Sequence, residues 1–457
     1  RVLVLQPEGV WSEGKLQTGV AVSIQDGRIT AVGAAPQGVK IERLPGRLLV
    51  PGLVNAHSHA FQRAIRGRTE SRIPGKEQDD FWSWREQMYH AAMELEPEEI
   101  EDVSRMAFLE MALSGITTVG EFHYLHHPAE GGRYEDPDEL AKRVVKAAEE
   151  VGIRIVLLRV GYARAGHGKD PNPRQRRFVD ESVEEGLAAV DRLAAAGIKV
   201  GLAPHSVRAL PLGWIREMAA YAREHRMPLH MHVSEQPREL EECIAEHGLR
   251  PVELLAREEI LDENFTGVHA IHLNEGEIAA LGRARANVCA CPTTERNLGD
   301  GIVPALDLLD AGVSISFGSD SHVEISLLQD ARSLEYHLRL ARLQRAVLAP
   351  EGRGEPNALA DRLLIAATQA GGRSLGMPDA GRIEIGAPAD MVSIDLEDPS
   401  ICGAAPSAWI ANLVFSAERT AIKDVWVGGE RIVEDGRHRL QEETIRRFGK
   451  VMKRLWG

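Results

Sequence analysis

Pro51-Gly52-Leu53-Val54-Asn55-Ala56-His57-Ser58-His59 runs from a turn pair through an apolar strand into two histidines. Side chains alternate along a strand, so His57 and His59 fall on one side and can present both imidazoles to a single ion. Parallel barrels keep their catalytic groups at the C-terminal ends of their strands. If this strand belongs to such a barrel, more strands should follow it, and some should end in further ligands.

Apolar strands are predicted at residues 48–57, 116–124, 153–160, 200–205, 229–233, 266–272, 286–291 and 313–319. Helical periodicity lies between most of them, at 98–113, 138–151, 180–195 and 212–224. Alternation of strand and helix implies a parallel sheet, and eight units imply a closed (β/α)8 TIM barrel. The two ends of the chain read differently, as short strands and turns. Asp26-Gly27 and Gly428-Gly429 each sit between apolar stretches, a hairpin signal. The expected architecture is α/β: a barrel over 50–379 and a small β-sandwich module made of 1–49 and 380–437. A C-terminal segment, 438–457, reads as a terminal helix over 442–456.

Composition bounds the function. With 457 residues, 44% of them hydrophobic, the chain suits one large barrel plus a smaller module. A net charge of −14 disfavours a nucleic-acid partner. A small anionic partner stays open, because a few local arginines can hold one. No apolar run approaches the roughly 18–20 residues of a membrane span, and the first residues do not read as an export signal. Four cysteines make no disulfide framework in a chain this long. Cys289 and Cys291, two apart, are expected on one strand face with too few partners for a thiolate metal site. A reducing cytoplasm is the expected location.

Three more strand ends carry candidate ligands. The fifth reads His230-Met231-His232-Val233-Ser234-Glu235. His230 and His232 share a face; His232 lies nearer the strand end and is preferred, with Glu235 as a carboxylate close to any metal-borne water. The sixth carries His269 and His272, and the eighth ends Phe317-Gly318-Ser319-Asp320-Ser321-His322. A lone Asp after a strand is ordinarily a helix cap. The joint pattern is what argues for a site, since histidine or acid falls at the ends of strands one, five, six and eight.

Those segments, from Pro51 to His59, His232 to Glu235, His269, and Ser319-Asp320, resemble the amidohydrolase superfamily, in its one-metal deaminase branch. The resemblance covers nearly the whole chain, including the split β module. Binuclear members place a bridging lysine at the fourth strand end, where this chain has Ala203-Pro204-His205. A narrower likeness follows from His57-Ser58-His59-Ala60-Phe61-Gln62-Arg63, from Glu121-Phe122-His123-Tyr124-Leu125-His126-His127 and from His232-Val233-Ser234-Glu235-Gln236. These are similar to the formimidoylglutamate deiminase family, which converts N-formimidoyl-L-glutamate to N-formyl-L-glutamate and ammonia in histidine degradation.

The resemblance implies roles. His57, His59, His232 and Asp320 bind one zinc ion, although other divalent metals suit such a set. Glu235 shuttles protons, Asp320 shares the first transfer, and His269 polarises the attacked group. The dicarboxylate substrate calls for guanidinium anchors. Arg85 and Arg208 are the candidates, with Gln62, Tyr124 and His205 as neutral partners. Arg63, Arg66 and Arg68 compete for that role but are expected at the surface or an interface. His123, His126 and His127 are assigned to a lid or to support of the site. The stretches 63–97 and 165–174 are lid candidates. By analogy a homodimer is expected.

Two other readings stand beside this one. A deaminase of guanine or another aminopurine or pyrimidine would use aromatic stacking, for which Phe61, Phe81, Trp82 and Trp84 are available. A non-catalytic barrel scaffold would have lost its metal ligands, and here the set reads as complete.

Overall fold

The computed structural model describes residues 2–457. Eight parallel strands form the barrel in sequence order: β1 (Leu53–Ser58), β2 (Ile116–His123), β3 (Arg154–Gly161), β4 (Val200–Pro204), β5 (Leu229–Val233), β6 (Phe265–His269), β7 (Asn287–Ala290) and β8 (Ser314–Phe317). They are buried almost end to end, as strands are when helices cover one face and packed side chains fill the other. The ring closes between β1 and β8 through a parallel bridge, Ser58 to Asp320. There His59 N–H donates to Asp320 O at 3.2 Å, and Asp320 N–H donates to His57 O at 3.0 Å.

The apolar run 48–57 is divided between two sheets. Its first part belongs to the strand Glu42–Pro51 of the terminal sheet, and its second part is β1. Gly52 makes the passage possible: a Cβ there would lie 2.0 Å from Thr117 Oγ1. Hydropathy cannot register this break, because the residues on both sides of it are buried.

The module built from both termini, read as a small β-sandwich, is a single hydrogen-bonded mixed sheet of nine strands. Glu42–Pro51 joins the two ends, pairing parallel with Val2–Ser12 and antiparallel with Met391–Asp395. Leu5, Val22, Leu49, Met391 and Trp426 form its core. Both hairpin signals hold: φ is +50° and +79° at Asp26 and Gly27, and +56° and +77° at Gly428 and Gly429. Two successive positive φ angles are the type I′ turn that matches strand twist.

The long connection after β1 contains a helix, Phe81–Glu94, that periodicity alone does not reveal. Asp80 caps it, Oδ1 accepting from Trp82 N–H at 3.0 Å and Ser83 N–H at 3.1 Å, while Ser83 Oγ accepts Asp80 N–H at 2.9 Å. The terminal helix Gln441–Trp456 supports the same region. Phe448 packs under the Arg63 guanidinium at 4.8 Å, and Trp456 Nε1 donates to Ala64 O at 3.0 Å. All four cysteines are free. No helix among the described residues is long and apolar enough to cross a membrane.

Candidate active site

His57 and His59 leave β1, His232 leaves β5, and Asp320 follows β8; all four side chains are buried. His57 Nε2 lies 3.1 Å from His59 Nε2, 3.2 Å from His232 Nε2 and 3.1 Å from Asp320 Oδ1. His59 Nε2 lies 3.2 Å from the same Asp320 oxygen. Atoms that share one ion at ~2.0–2.2 Å cannot be more than ~4.4 Å apart. His59 Nδ1–H donates to Phe122 O at 3.0 Å, which leaves Nε2 as a bare lone pair. Burial pushes His57 down to about 3 and holds His232 well below the usual imidazole range. Ring nitrogens and a carboxylate oxygen thus converge on one point, an arrangement that a cation among them would stabilise. The donor set fits zinc, and other divalent first-row ions as well.

The backbone is bent to make this constellation. Ser234, His269, Ala270, Asp320 and His322 have φ of +53°, +73°, +48°, +50° and +60°. Non-glycine residues rarely occupy that region, and here they cluster at the ends of β5, β6 and β8. A hydrogen-bonded seam braces them. Asn55 Nδ2 donates to Ser319 Oγ at 2.6 Å, Ser319 N–H donates to Asn55 Oδ1 at 3.0 Å, and His322 sits between Ser58 Oγ and Ser319 Oγ at 2.9 and 3.0 Å.

Glu235 and His269 stand above the four ligand candidates. His269 Nδ1–H donates to Glu295 at 2.9 Å, and its Nε2 is 3.5 Å from Glu235 and 3.6 Å from Asp320. Burial opposes charge on this imidazole, but Glu235, Glu295 and Asp320 outweigh it and raise it to about 10. Burial, and then the Asp300 carboxylate, hold the Glu235 carboxyl well above its ordinary range. Neither Glu295 nor Asp300 is predicted from sequence. Both follow β7, on or just past the helix Pro292–Leu298, where the strand-end rule could have found them.

His59, His232, Glu235, His269 and Asp320 form the floor of a pocket with Gln62, Arg85, Tyr124, His205 and Arg208 in its walls. Every sequence-predicted site residue lines it except His57, which lies beneath, fully buried. Arg85 Nε and Nη1 and Arg208 Nε and Nη1 are buried without partners. The two guanidiniums lie 4.7 and 5.5 Å from the Trp82 ring. Burial, and then the charge of Arg208, lower the Arg85 guanidinium below its ordinary value. Gln62 Nε2 donates to Tyr124 OH at 3.0 Å, and Gln62 Oε1 is left unpaired. Tyr89, Tyr162 and Phe178 line the same pocket and are not predicted, although Tyr162 directly follows β3.

The competing residues lie elsewhere. His230 Nε2–H donates to Ser374 O at 2.7 Å, and His272 Nε2–H donates to Asp300 O at 2.9 Å. His126 Nε2 accepts from Arg159 at 2.8 Å, and none of His123, His126 and His127 lines the pocket. Arg63 and Arg66 pair with Glu110, and Arg68 lies over Trp456.

The sequence profile of the amidohydrolase family matches residues 48–432. The chain is 39% identical to a formimidoylglutamate deiminase of Pseudomonas aeruginosa, over 91% of this chain and 90% of that one. It is 31% identical to a 5-methylthioadenosine/S-adenosylhomocysteine deaminase of Natronomonas pharaonis, over 96% and 95% of the two chains. Among solved structures, an amidohydrolase from Brucella melitensis superposes with a TM-score of 0.90 at 34% identity, covering 100% of both chains.

Proposed function

Because the chain belongs to the amidohydrolase family and is a hydrolase of carbon–nitrogen bonds, we propose that it hydrolyses N-formimidoyl-L-glutamate to N-formyl-L-glutamate and ammonia, a step of histidine degradation. The observation that carries this reading is the pair Arg85 and Arg208, one half-buried and one buried, whose Nε and Nη1 atoms are buried without hydrogen-bond partners in the pocket that holds the ligand cluster. Cations left so in a low-dielectric site call for anionic ligands. Planar guanidiniums match carboxylates, and each charge-assisted bond is worth ~1.5–3 kcal/mol. A dicarboxylate supplies one carboxylate for each.

The substrate carries an amidine carbon, which water attacks. His57, His59, His232 and Asp320 would hold the metal. A zinc ion so held supplies Lewis acidity and a water acid enough to ionise near pH 7. Glu235 accepts a proton from the attacking water and delivers it to the terminal nitrogen; the remaining hydroxyl proton follows as the C=O forms, and the nitrogen leaves as ammonia. His269, held by Glu295, donates toward the heteroatom that takes up charge as the carbon becomes tetrahedral. Gln62 Oε1 accepts from an amidine N–H, and His205 and Tyr124 complete the wall behind the reacting carbon. Carbon gains an oxygen and loses a nitrogen, so no oxidant or reductant is needed.

The aromatic walls, Phe81, Trp84, Tyr89, Tyr124, Tyr162 and Phe178, favour a second reading: stacking of an aminopurine, a pyrimidine or a nucleoside base. That reading leaves the buried Nε and Nη1 atoms of both arginines without hydrogen-bond partners, with the Glu239 carboxylate in the same pocket as the nearby charge toward Arg208. Ammonia release from N-formimidoyl-L-glutamate, with guanine and cytosine run beside it on zinc-loaded protein, tests the choice. Release from a nucleobase alone would discard the dicarboxylate.

A further inference from the structure

Gln175 lies in the turn Pro173–Gln175, on the connection after β3, and is buried. Its amide is fixed from both ends. Oε1 accepts the backbone N–H of Asn172 at 2.8 Å, so the amide nitrogen faces the other way. That nitrogen donates twice, to Tyr89 OH at 2.8 Å and to Tyr162 OH at 2.9 Å. Tyr89 stands one turn after Arg85 on the helix Phe81–Glu94, and Tyr162 follows β3; both line the pocket.

A phenol oxygen that accepts a bond keeps its own proton to give. Two phenols can exchange one bond between them, which uses one of the two protons. No other acceptor of either proton is found among the described residues. At least one O–H is therefore left for whatever enters the pocket. The Tyr89 ring also lies 5.4 Å from the Arg85 guanidinium, beside its unpartnered nitrogens. A neutral donor suits this place: the Arg174 guanidinium, paired with Glu86, already lies 5.8 Å from the same ring, and a further unpaired cation would add to the repulsion between Arg85 and Arg208.

We propose that Tyr89 and Tyr162 form a hydroxyl pair that donates a hydrogen bond to one substrate carboxylate beside Arg85, and that Gln175 is the positioning residue that sets the direction of that donation. The proposal rests on the dicarboxylate reading above and adds a specificity element to it. The pair rewards an acceptor and rejects a group that offers only N–H or C–H at that point.

The test uses Tyr89→Phe, Tyr162→Phe and Gln175→Met in the full zinc-loaded protein, with thermal melts to confirm folding. KM and kcat are measured for N-formimidoyl-L-glutamate and for two truncated substrates. N-formimidoyl-L-norvaline lacks the distal carboxylate, and N-formimidoyl-4-aminobutyrate lacks the proximal one. Expected is a rise in KM of about tenfold for Gln175→Met and for at least one Tyr→Phe variant, with kcat within about twofold. The rise vanishes with the one truncated substrate that lacks the bonded carboxylate, and the Gln175→Met/Tyr162→Phe double variant is no worse than the weaker single one. An unchanged KM in all three variants, or equal losses with every substrate, overturns the proposal. Calorimetric binding of glutarate separates this failure from failure of the substrate reading. If N-formimidoyl-L-glutamate is not turned over but glutarate binds about tenfold more weakly to a Tyr→Phe variant, the hydroxyl pair stands and the substrate falls. If glutarate binds all variants like the parent, the pair falls.

Discussion

Asp320 holds His57 twice: its backbone N–H donates to the His57 carbonyl at 3.0 Å, and its carboxylate Oδ1 lies 3.1 Å from His57 Nε2. The seam that closes the barrel and the candidate metal site are thus the same few residues. Metal binding and barrel stability should be coupled.

The coupling can be measured by melting. A ligand present at ~1,000 times its Kd stabilises the folded state by ~4 kcal/mol. Zinc added to chelated protein should raise Tm by several degrees, and Asp320→Asn should abolish most of that rise while leaving the backbone seam in place. An equal rise in the variant would place the metal elsewhere.

Glu235→Gln should bind as much zinc as the parent, because Glu235 is not among the four converging ligands. It should lose ~10²–10⁴-fold in kcat, the usual contribution of a positioned proton carrier. Metal content and turnover on one preparation decide this, and unchanged turnover would remove Glu235 from the reaction.

Arg208→Ala should lower kcat/KM for the dicarboxylate ~10–100-fold, mostly through KM, as one or two charge-assisted bonds are lost. Arg208→Lys should rescue little, because an ammonium cannot reproduce a bidentate contact. A loss below about twofold for Arg208→Ala would contradict the anchor assignment.

Away from the pocket, Arg159 donates to both Asp180 oxygens at 2.9 Å, and both side chains are buried. Burial pushes the Asp180 carboxyl up, but Arg159 and His127 outweigh it and hold it well below the usual range. A depressed carboxylate stabilises the fold above its unfolded value, ~3.9, and loses that contribution as pH falls toward the folded value. Asp180→Asn should cost ~3–5 kcal/mol at pH 7, measured by urea unfolding. The gap to the parent should narrow below ~pH 4. A gap independent of pH would mean that the ion pair is not its source.

The barrel was legible because its strands are continuous apolar runs separated by helices, and the candidate ligands stood out because they fall at strand ends. His232 is preferred over His230 for its nearness to the strand end, and His269 enters through the family resemblance; both line the pocket, while His230 and His272 do not. Harder to read were features fixed by shape. The turn at Gly52 depends on the proximity of Thr117, which hydropathy does not encode. The helix Phe81–Glu94 buries Ser83, Ala91 and Ala92 among its aromatics, so its apolar stripe is faint. Gln175, Glu295 and Asp300 act through other side chains, and residues that orient a neighbour carry no pattern of their own.

The most direct test of the account compares kcat/KM for ammonia release from N-formimidoyl-L-glutamate and from 5′-methylthioadenosine in one zinc-loaded preparation. Two anchored carboxylates predict a preference for the formimidoyl compound of at least ~100-fold. Equal or greater turnover of the nucleoside would contradict the account, leaving the barrel and its ligand cluster but not the role of Arg85 and Arg208.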